Sequence, residues 1–330
     1  MKSRAAILLV CLGVFLVFPQ GSAAKWVRSG KLEGISVLAL AVNGDDIFAG
    51  TDNGVFRSTD NGANWTAVNS GLPEKTIFMC LAASGARIFA GSMGKGVFLS
   101  TDRGASWKPV NSGLSDLRVM SLMIDGESLF AATTGGGVFL STDNGVGWAA
   151  VNSGLPEGTS VNCIFKSGNS LFAGMDYRGL FVSTDSGASW KEIKSIIAAN
   201  NPVSCLMGGG ENLLAGSVQG IFRSTDGGLS WEPASLPFES AMLGILPQTS
   251  VMCLAVSGSN IFAGTDGAGV FMSSNQKKSW VMVNSGLKSS QVCALAVSGD
   301  YLIAGTMQGG IWRSPLADLS GGKSRFSPGQ

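Results

Sequence analysis

The chain has 330 residues, a formal net charge of +1 and no histidine; charged residues make up 14%, hydrophobic residues 45%, and glycine numbers 47. This near-neutral balance gives no electrostatic reason to expect a nucleic acid or an anionic membrane as a partner. The apolar and glycine content is typical of turn-rich β proteins with many short buried strands, and it excludes a disordered chain.

The beginning of the chain has the pattern of a secretory leader. A cationic start precedes the apolar run 5–18, and the small residues 22–24 follow it. We therefore predict a signal peptide over residues 1–24 and a secreted or periplasmic mature protein without a membrane span. A retained single anchor is the alternative interpretation.

The mature chain contains an internal repeat. A triplet of the Phe-Ala-Gly type recurs in seven units, beginning at residues 48, 89, 130, 172, 214, 262 and 303. Each unit has short apolar runs separated by Gly, Asn, Asp and Ser, and none sustains a helical period, so we predict a four-stranded antiparallel meander. Repeats of this length and strand number predict an all-β fold, a seven-bladed β-propeller.

The two ends of the repeat array complement each other. The seventh unit ends at residues 311–316 without the Trp-led fourth strand of the other units, whereas Trp26 opens a matching segment before the first unit. We predict that this N-terminal strand completes the last blade, so that the propeller spans residues 25–315. Residues 316–330 are polar and rich in Gly, and we predict that they form a flexible tail.

A polar octet follows the third predicted strand in five units, as in STDNGANW at 58–65. A hairpin here needs an acceptor for backbone N–H groups, a glycine at positive φ and an apolar cover, which Asp60, Gly62 and Trp65 can supply. Five equal copies favour a structural staple over catalytic or calcium sites, and we assign no metal. The corresponding residues of the other copies are Asp102, Gly104, Trp107, Asp143, Gly145, Trp148, Asp185, Gly187, Trp190, Asp226, Gly228 and Trp231.

Four of the five mature cysteines share one position in the first strand of their units, where other units have Ala or Ser. We predict that this position lies at the crowded axis and admits only small side chains, with cysteine serving as a buried free thiol. A disulfide and a metal site are the alternatives, and the lack of histidine disfavours the metal. The four residues are Cys80, Cys163, Cys205 and Cys253.

Function is expected where the chain departs from the repeat, because the repeat describes the scaffold and loops carry specificity. One departure is the turn Asp176-Tyr177-Arg178, and the other is the long link 236–250. Both belong to the face opposite the octets, and their aromatic, Met and charged groups suit a protein or glycan partner. The predicted binding residues are Asp176, Tyr177, Arg178, Phe238, Glu239 and Met242.

Two alternatives concern these same segments. The long link could simply fold over the ring, and Asp176 with Glu239 could form the acidic pair of a glycoside hydrolase. Charged residues of the other links are interpreted as solvated rim charges; they are Glu74, Lys75, Asp116, Arg118, Glu157 and Lys288.

The octet resembles the Asp-box, or BNR repeat, Ser-x-Asp-x-Gly-x-[Ser/Thr]-Trp, over nearly the whole mature chain. Sialidases, xyloglucan-cleaving hydrolases and photosystem II assembly-factor propellers share this motif, and in the resembled proteins it lies away from the active centre. The resemblance to sialidases extends to the scaffold only. Their Arg-Ile-Pro motif is missing here, and neither Tyr177 nor Tyr301 has a recognisable Glu partner.

The arginines also argue against a sialidase, because Arg57, Arg223 and Arg313 are expected near the rim rather than in a substrate clamp. In size the chain is most similar to the assembly-factor propellers, which have a single ring without a catalytic insert. The resemblance implies a monomeric binding or assembly platform that needs no cofactor, with a glycoside hydrolase as the runner-up.

Overall fold

The computed structural model of the chain describes residues 26–30, 32–197, 201–209, 212–234, 250–274 and 280–320. The predicted leader and the residues Phe238, Glu239 and Met242 therefore lie outside the described residues. Among the residues that are described, no helix has the length and apolar character that a membrane crossing requires.

The described residues form seven separate four-stranded antiparallel sheets, which confirms the predicted seven-bladed propeller. Blade 1 consists of β2 (Val37–Asn43), β3 (Asp46–Thr51), β4 (Gly54–Ser58) and β5 (Thr66–Ala67). Blade 2 consists of β6 (Phe78–Ser84), β7 (Arg87–Ser92), β8 (Gly96–Ser100) and β9 (Lys108–Pro109). Blade 3 consists of β10 (Val119–Asp125), β11 (Ser128–Thr133), β12 (Val138–Ser141) and β13 (Ala149–Ala150). Blade 4 consists of β14 (Val161–Ser167), β15 (Ser170–Met175), β16 (Gly179–Ser183) and β17 (Lys191–Glu192). Blade 5 consists of β18 (Val203–Gly209), β19 (Asn212–Ser217), β20 (Gly220–Ser224) and β21 (Glu232–Pro233). Blade 6 consists of β22 (Val251–Ser257), β23 (Asn260–Thr265), β24 (Gly269–Ser274) and β25 (Val281–Met282).

Blade 7 joins the two ends of the chain, as predicted. Its strands β26 (Val292–Ser298), β27 (Tyr301–Thr306) and β28 (Gly310–Pro315) are completed by β1 (Val27–Ser29), which pairs antiparallel with β28. The backbone hydrogen bonds between β1 and β28 thereby close the ring.

A short helix, α1 (Leu316–Ser320), follows β28 and occupies the first part of the segment that we predicted to be a flexible tail. Leu319 of this helix is fully buried, and the Leu316 N–H donates to the Asp300 carbonyl at 2.8 Å. This part of the segment is therefore an ordered extension of blade 7, because an apolar side chain packs against that blade.

The core consists of apolar side chains packed between neighbouring blades. Clusters of buried residues each span adjacent blades; one, for example, combines Phe89 and Val97 of blade 2 with Leu129 and Phe139 of blade 3. In the second strand of every blade at least five of the six residues are buried. The Phe of its Phe-Ala-Gly type triplet fills space between blades, and the small residues let neighbouring strands approach closely.

The small position of the first strand lies at a contact between neighbouring blades. A Cβ on Gly91 would lie 2.5 Å from the Cys80 Sγ and 2.8 Å from the Val119 side chain, and the Cys80 thiol contacts the Val119 carbonyl at 3.8 Å. Val119 begins the first strand of the next blade, so the space around the Cys80 side chain is limited where the first strands of neighbouring blades meet. The five cysteines among the described residues are free thiols, and burial raises the pKa of Cys80 and Cys163.

Candidate functional site

The alternating direction of the strands gives the propeller two different faces. One face carries the octets, which connect third to fourth strands, and is called the octet face. The other carries the turns between second and third strands and the links between blades, and is called the link face. A shallow cavity between Asn53 of such a turn and Glu74 of the following link shows that these two kinds of segment lie side by side.

The octets are hydrogen-bonded turns on the octet face. In the first copy, the Ser58 hydroxyl donates to Asp60 at 2.8 Å and accepts from the Gly62 N–H at 3.0 Å, and Asp60 accepts from the Asn64 N–H at 2.9 Å. Gly62 has a φ of 77°, and the Trp65 indole donates to the Gly62 carbonyl at 3.1 Å. These are the contacts expected of a staple.

The electrostatics of the octets agree with that role. Hydrogen bonds from the Ser106 side chain and backbone, with a further one from Ser100, hold the pKa of Asp102 at about 2. Corresponding bonds give Asp185 and Asp226 a pKa of about 2. Carboxylates of such low pKa remain ionised acceptors and are unsuited to act as general acids.

The indole groups link successive blades. The Trp107 Nε1–H donates to the Val68 carbonyl of the preceding blade at 2.8 Å, and Trp148 and Trp190 make the corresponding bonds. Trp26 does the same toward Val283 at 2.6 Å. The N-terminal strand therefore replaces a fourth strand in its contacts as well as in its pairing.

On the link face, seven equivalent residues surround the axis at the start of the turns between second and third strands. In every blade the backbone N–H of this residue donates to the carbonyl of the residue that precedes the first strand, as Asp176 does to Ser160 at 3.0 Å. The seven residues, which we call the turn ring, are Asp52, Met93, Thr134, Asp176, Val218, Asp266 and Met307.

The structure brings together the three predicted binding residues of blade 4 in one turn of this ring. The Tyr177 side chain is 60% exposed and has a φ of 59°, and Arg178 is exposed beside it. The matching turns of blades 2 and 6 place Gly94 and Gly267 at positive φ. A bulky residue in this conformation is a backbone outlier.

Sequence reasoning missed a neighbouring group of exposed apolar residues. Ile77, Met93 and Leu117 are 39%, 45% and 37% exposed and lie on the link face of blades 2 and 3. The Met93 N–H donates to the Ile77 carbonyl at 2.9 Å, and the Gly94 N–H donates to the Leu117 carbonyl at 3.0 Å. We call these three residues the apolar patch.

The apolar patch and the Tyr177 turn belong to one continuous hydrogen-bonded surface. From Asp176 the bonds run to Ser160, whose hydroxyl donates to the Thr134 carbonyl, and the Thr134 N–H donates to the Arg118 carbonyl. Arg118 directly follows Leu117 in the chain and pairs with Met93 in a β-bridge. Blades 2, 3 and 4 thus present a single connected surface.

The interpretation of the link charges as solvated was wrong for Asp116. Its carboxylate accepts from Arg118 at 3.0 Å and from the N–H groups of Gly135 and Gly136 at 2.8 and 3.1 Å. Although burial opposes ionisation, these bonds lower the pKa of Asp116. Spacing could not reveal this, because the two glycines belong to a turn about 20 residues away whose position depends on the fold.

The three arginines considered as a substrate clamp lie apart. Arg57 binds Asp46 at 2.8 Å, and the Arg313 guanidinium lies 4.7 Å from the Tyr301 ring centroid. Arg223 donates to Asn212 at 2.8 Å. Within the part of the chain that the structure describes, no group of three His, Cys, Asp or Glu side chains is placed to hold a metal ion.

Comparisons with known proteins agree with this architecture. The family model described as the DUF6242 beta propeller domain matches residues 88–208, from β7 of blade 2 to β18 of blade 5. A comparison with curated proteins finds no match.

Several solved structures share the fold at low sequence identity. The extracellular domain of a protein from B. thetaiotaomicron, described as a hybrid two component system, is 16% identical with a TM-score of 0.73; the match covers 88% of this chain and 40% of that one. YCF48 bound to D1 peptide is 14% identical with a TM-score of 0.66, over 88% of this chain and 96% of that one. The GH74 xyloglucanase from Xanthomonas campestris is 19% identical with a TM-score of 0.62, over 82% and 50%.

Proposed function

We propose that the chain is a secreted or periplasmic Asp-box propeller that binds a partner protein through its link face. The five octets support the assignment to the Asp-box type, and the predicted leader supports export. Among structures of the same fold, an extracellular domain and a peptide-bound YCF48 provide precedents for such a location and such a role.

The observation that carries the proposal is the conformation of Tyr177. A side chain in the left-handed region costs about 1–2 kcal/mol, and glycine avoids this cost in the matching turns. Among the described residues of the link face, the strained residue is also the most exposed large apolar side chain. Strain of this kind is typical of sites where the side chain is needed for function.

The composition of the surface favours a protein over a glycan. Tyr, Met and Arg are the residue types enriched in protein interfaces, and Tyr177, Met93 and Arg178 lie on the connected surface of blades 2 to 4. Seven of the eight tryptophans are at most 7% exposed and the eighth, Trp65, is half-buried, so no indole is fully exposed on this face.

Replacement of Tyr177 tests the proposal. Because asparagine tolerates the left-handed region, we expect Tyr177→Asn to leave the free energy of unfolding unchanged or raise it by up to about 1 kcal/mol. We expect the affinity for the partner to fall at least about tenfold, or 1.4 kcal/mol. The partner is first captured by crosslinking to the secreted protein in the native envelope fraction, then purified and titrated against each variant by calorimetry.

Gln308→Asn is the matched control, since Gln308 occupies the same turn position in blade 7 with a φ of 53°. We expect the same effect on stability and no loss of binding. Equal affinity of the Tyr177→Asn variant and the wild type would refute the proposed surface.

A glycosidase assay addresses the runner-up function. We expect no turnover of xyloglucan, other polysaccharides or sialosides by the secreted protein. Turnover that disappears in Asp176→Asn or Glu239→Gln would contradict the platform and establish the acidic pair instead.

A further inference from the structure

The apolar patch occupies a backbone arrangement that the ring repeats with polar residues. Between blades 6 and 7, the Asp266 N–H donates to the Ser250 carbonyl at 2.9 Å, and the Gly267 N–H donates to the Ser290 carbonyl at 3.1 Å. The bonds of Met93, Ile77 and Leu117 are the same in pattern and nearly the same in length. The fold therefore accepts Ser, Asp and Ser at the positions where blades 2 and 3 expose Ile, Met and Leu.

Cations surround the apolar patch. Lys75 lies two residues before Ile77, Lys95 two residues after Met93, and Arg118 next to Leu117; all three side chains are exposed. Among the described residues neither lysine forms an ion pair. Of the two carboxylates nearby, Asp116 is held by Arg118 and two backbone N–H groups, which leaves Glu74 as the exposed one.

Lys75 repeats the feature that distinguishes Tyr177. It has a φ of 52°, whereas the closely similar link after blade 3 has Gly158 at this position, with a φ of 66°. The sequences LPEKT and LPEGT show that glycine serves the same turn. The presence of a lysine in this unfavourable conformation, at the edge of an apolar patch, indicates that its charge takes part in binding.

We infer that the apolar patch and the two lysines beside it bind an extended segment of a partner protein that combines aliphatic side chains with carboxylates. The inference rests on the proposed function, because it extends the same connected surface from the Tyr177 turn to blades 2 and 3. Aliphatic groups of the segment cover Ile77, Met93 and Leu117, and its carboxylates pair with Lys75 and Lys95, because Arg118 is already bound to Asp116. An exposed apolar cluster with a charged rim has the anatomy of a protein interface.

The test uses a fluorescein-labelled short peptide that alternates leucine and glutamate, titrated against the secreted protein by fluorescence anisotropy. We expect it to bind at least tenfold more tightly than two reference peptides, one with lysine for glutamate and one with serine for leucine. Because exposed charges are screened by salt, binding of the acidic peptide should weaken as the ionic strength rises. Equal affinity for the acidic and basic peptides would overturn the inference.

Exchange of residues between the two equivalent positions gives variants that the fold already accommodates. The triple variant Ile77→Ser, Met93→Asp, Leu117→Ser copies blades 6 and 7, and we expect it to lose at least tenfold in affinity for the acidic peptide with an unchanged melting temperature. The reverse graft Ser250→Ile, Asp266→Met, Ser290→Leu, with Gln291→Arg, should create a second binding site. Retention of wild-type affinity by the first variant would refute the inference.

Single variants separate the contributions of charge and of position. Lys75→Gly should weaken binding of the acidic peptide about threefold to tenfold and make this binding less dependent on salt, because it removes one cation. The glycine also relieves the backbone conformation at this position. Val146→Asp changes a residue that is 64% exposed on the octet face and should leave binding unaltered. Equal losses in the two variants would count against the patch as the binding site.

The outcomes distinguish this inference from the proposed function. If Tyr177→Asn loses the native partner while the triple variant still binds both the partner and the peptide, the platform stands and the patch is excluded. If Tyr177→Asn keeps the native partner while the triple variant loses the peptide, the patch stands alone and the Tyr177 platform is excluded.

Discussion

The residues with positive φ fall into two groups in this protein, those of the octets and those of the link face. Seven residues other than glycine have positive φ among those described. Asn61, Arg103, Asn144 and Ser186 occupy the same position of four octets, where a repeated turn requires this conformation. Lys75, Tyr177 and Gln308 lie on the link face, and glycine takes the matching position in another blade for all three.

The octet aspartates make stability depend on pH in the acid range. The pKa of Asp102 falls from its ordinary value of 3.8 to about 2 in the folded protein, chiefly through the Ser106 side chain and backbone. A depressed folded pKa stabilises the protein above the unfolded value, and this contribution is lost as the pH falls from about 4 through about 2. We expect Asp102→Asn to be less stable than the wild type at pH 7 and to approach it near pH 2, as measured by urea unfolding at a series of pH values.

Asp143 supplies the control for this experiment. Gly147 stands where three of the other octets have Ser, so Asp143 accepts a backbone N–H at 2.9 Å and the Ser141 hydroxyl at 2.7 Å but lacks the second hydroxyl donor that Ser106 gives Asp102. Its pKa is lowered through fewer bonds, and Asp143→Asn should therefore show a smaller loss at pH 7. A difference between wild type and Asp102→Asn that stays constant from pH 7 to pH 2 would contradict the assignment.

At the scale of the element, the fourth residue of an octet connects its blade to the preceding one. The Arg103 guanidinium donates to Asp46 of blade 1 at 2.7 Å, and Asn144 accepts from Arg87 of blade 2 at 2.5 Å. The Ser298 hydroxyl donates to Asn61 at 3.0 Å, which repeats the contact across the closure between blades 7 and 1. The octets therefore hold neighbouring blades in register as well as closing their own turns.

The pair Arg103 and Asp46 should be a measurable coupling between blades. The Asp46 side chain is 4% exposed, and although burial opposes ionisation, Arg103 and Arg57 lower its pKa. Bonds to charged groups contribute about 1.5–3 kcal/mol when buried, and the exposed Arg103 reduces this. We expect a double-mutant cycle of Asp46→Ala and Arg103→Ala to give a coupling energy of about 1 kcal/mol by urea unfolding.

Arg28 and Glu33 form the matched control pair. Their side chains are 34% and 80% exposed, and such pairs typically contribute about 0–0.5 kcal/mol. A coupling between Arg103 and Asp46 no larger than that of the control would show that the octet contributes nothing to blade register through this residue.

The strands could be predicted because each unit of the repeat is defined by residues close together in the chain. The contacts between blades could not be predicted, because they join residues far apart in the chain. Alternating apolar runs, turn glycines and the unmatched Trp26 were sufficient to predict blades and closure. The partnership of Arg103 with Asp46 joins residues 57 positions apart, and the octet alone gives no sign of it. The cysteine position was recognised as small, yet its contact with Val119 of the next blade required the structure.

The candidate site was only partly predictable for the same reason. Tyr177 departs from the small residues of its turn, so its interest was visible in the sequence. Ile77 and Leu117 belong to links whose sequences vary in any case, and Met93 stands in a turn of ordinary length. Only the comparison with the polar arrangement of Ser250, Asp266 and Ser290 shows that the fold does not require these apolar residues.

At the scale of the whole molecule, closure depends on a three-residue strand and one indole. Trp26 is 1% exposed, packs in the same cluster as Trp312, and donates to the Val283 carbonyl of blade 6. The Arg28 guanidinium lies 5.1 Å from the Trp312 ring centroid. These contacts secure the only blade whose strands come from both ends of the described chain.

Removal of the Trp26 indole should destabilise the ring strongly. We expect Trp26→Ala to lower the free energy of unfolding by about 3–5 kcal/mol, because it deletes a large buried side chain. Trp26→Phe keeps most of the apolar volume and loses the hydrogen bond, at a cost of about 1–2 kcal/mol. Trp65→Ala, at a half-buried position, should cost less than Trp26→Ala in the same urea titration, and the reverse order would argue against β1 as the closing strand.

The pairing of β1 with β28 also sets an order for biosynthesis. The ribosome makes β1 before any other strand of the ring, and its partner β28 is the last strand of the ring to emerge. Until then β1 has no edge to join, and a chain released early lacks the strand that would receive it. Completion of the propeller is thus coupled to synthesis of β28, which makes fragments ending before residue 310 open rings with unprotected edges, prone to proteolysis and aggregation.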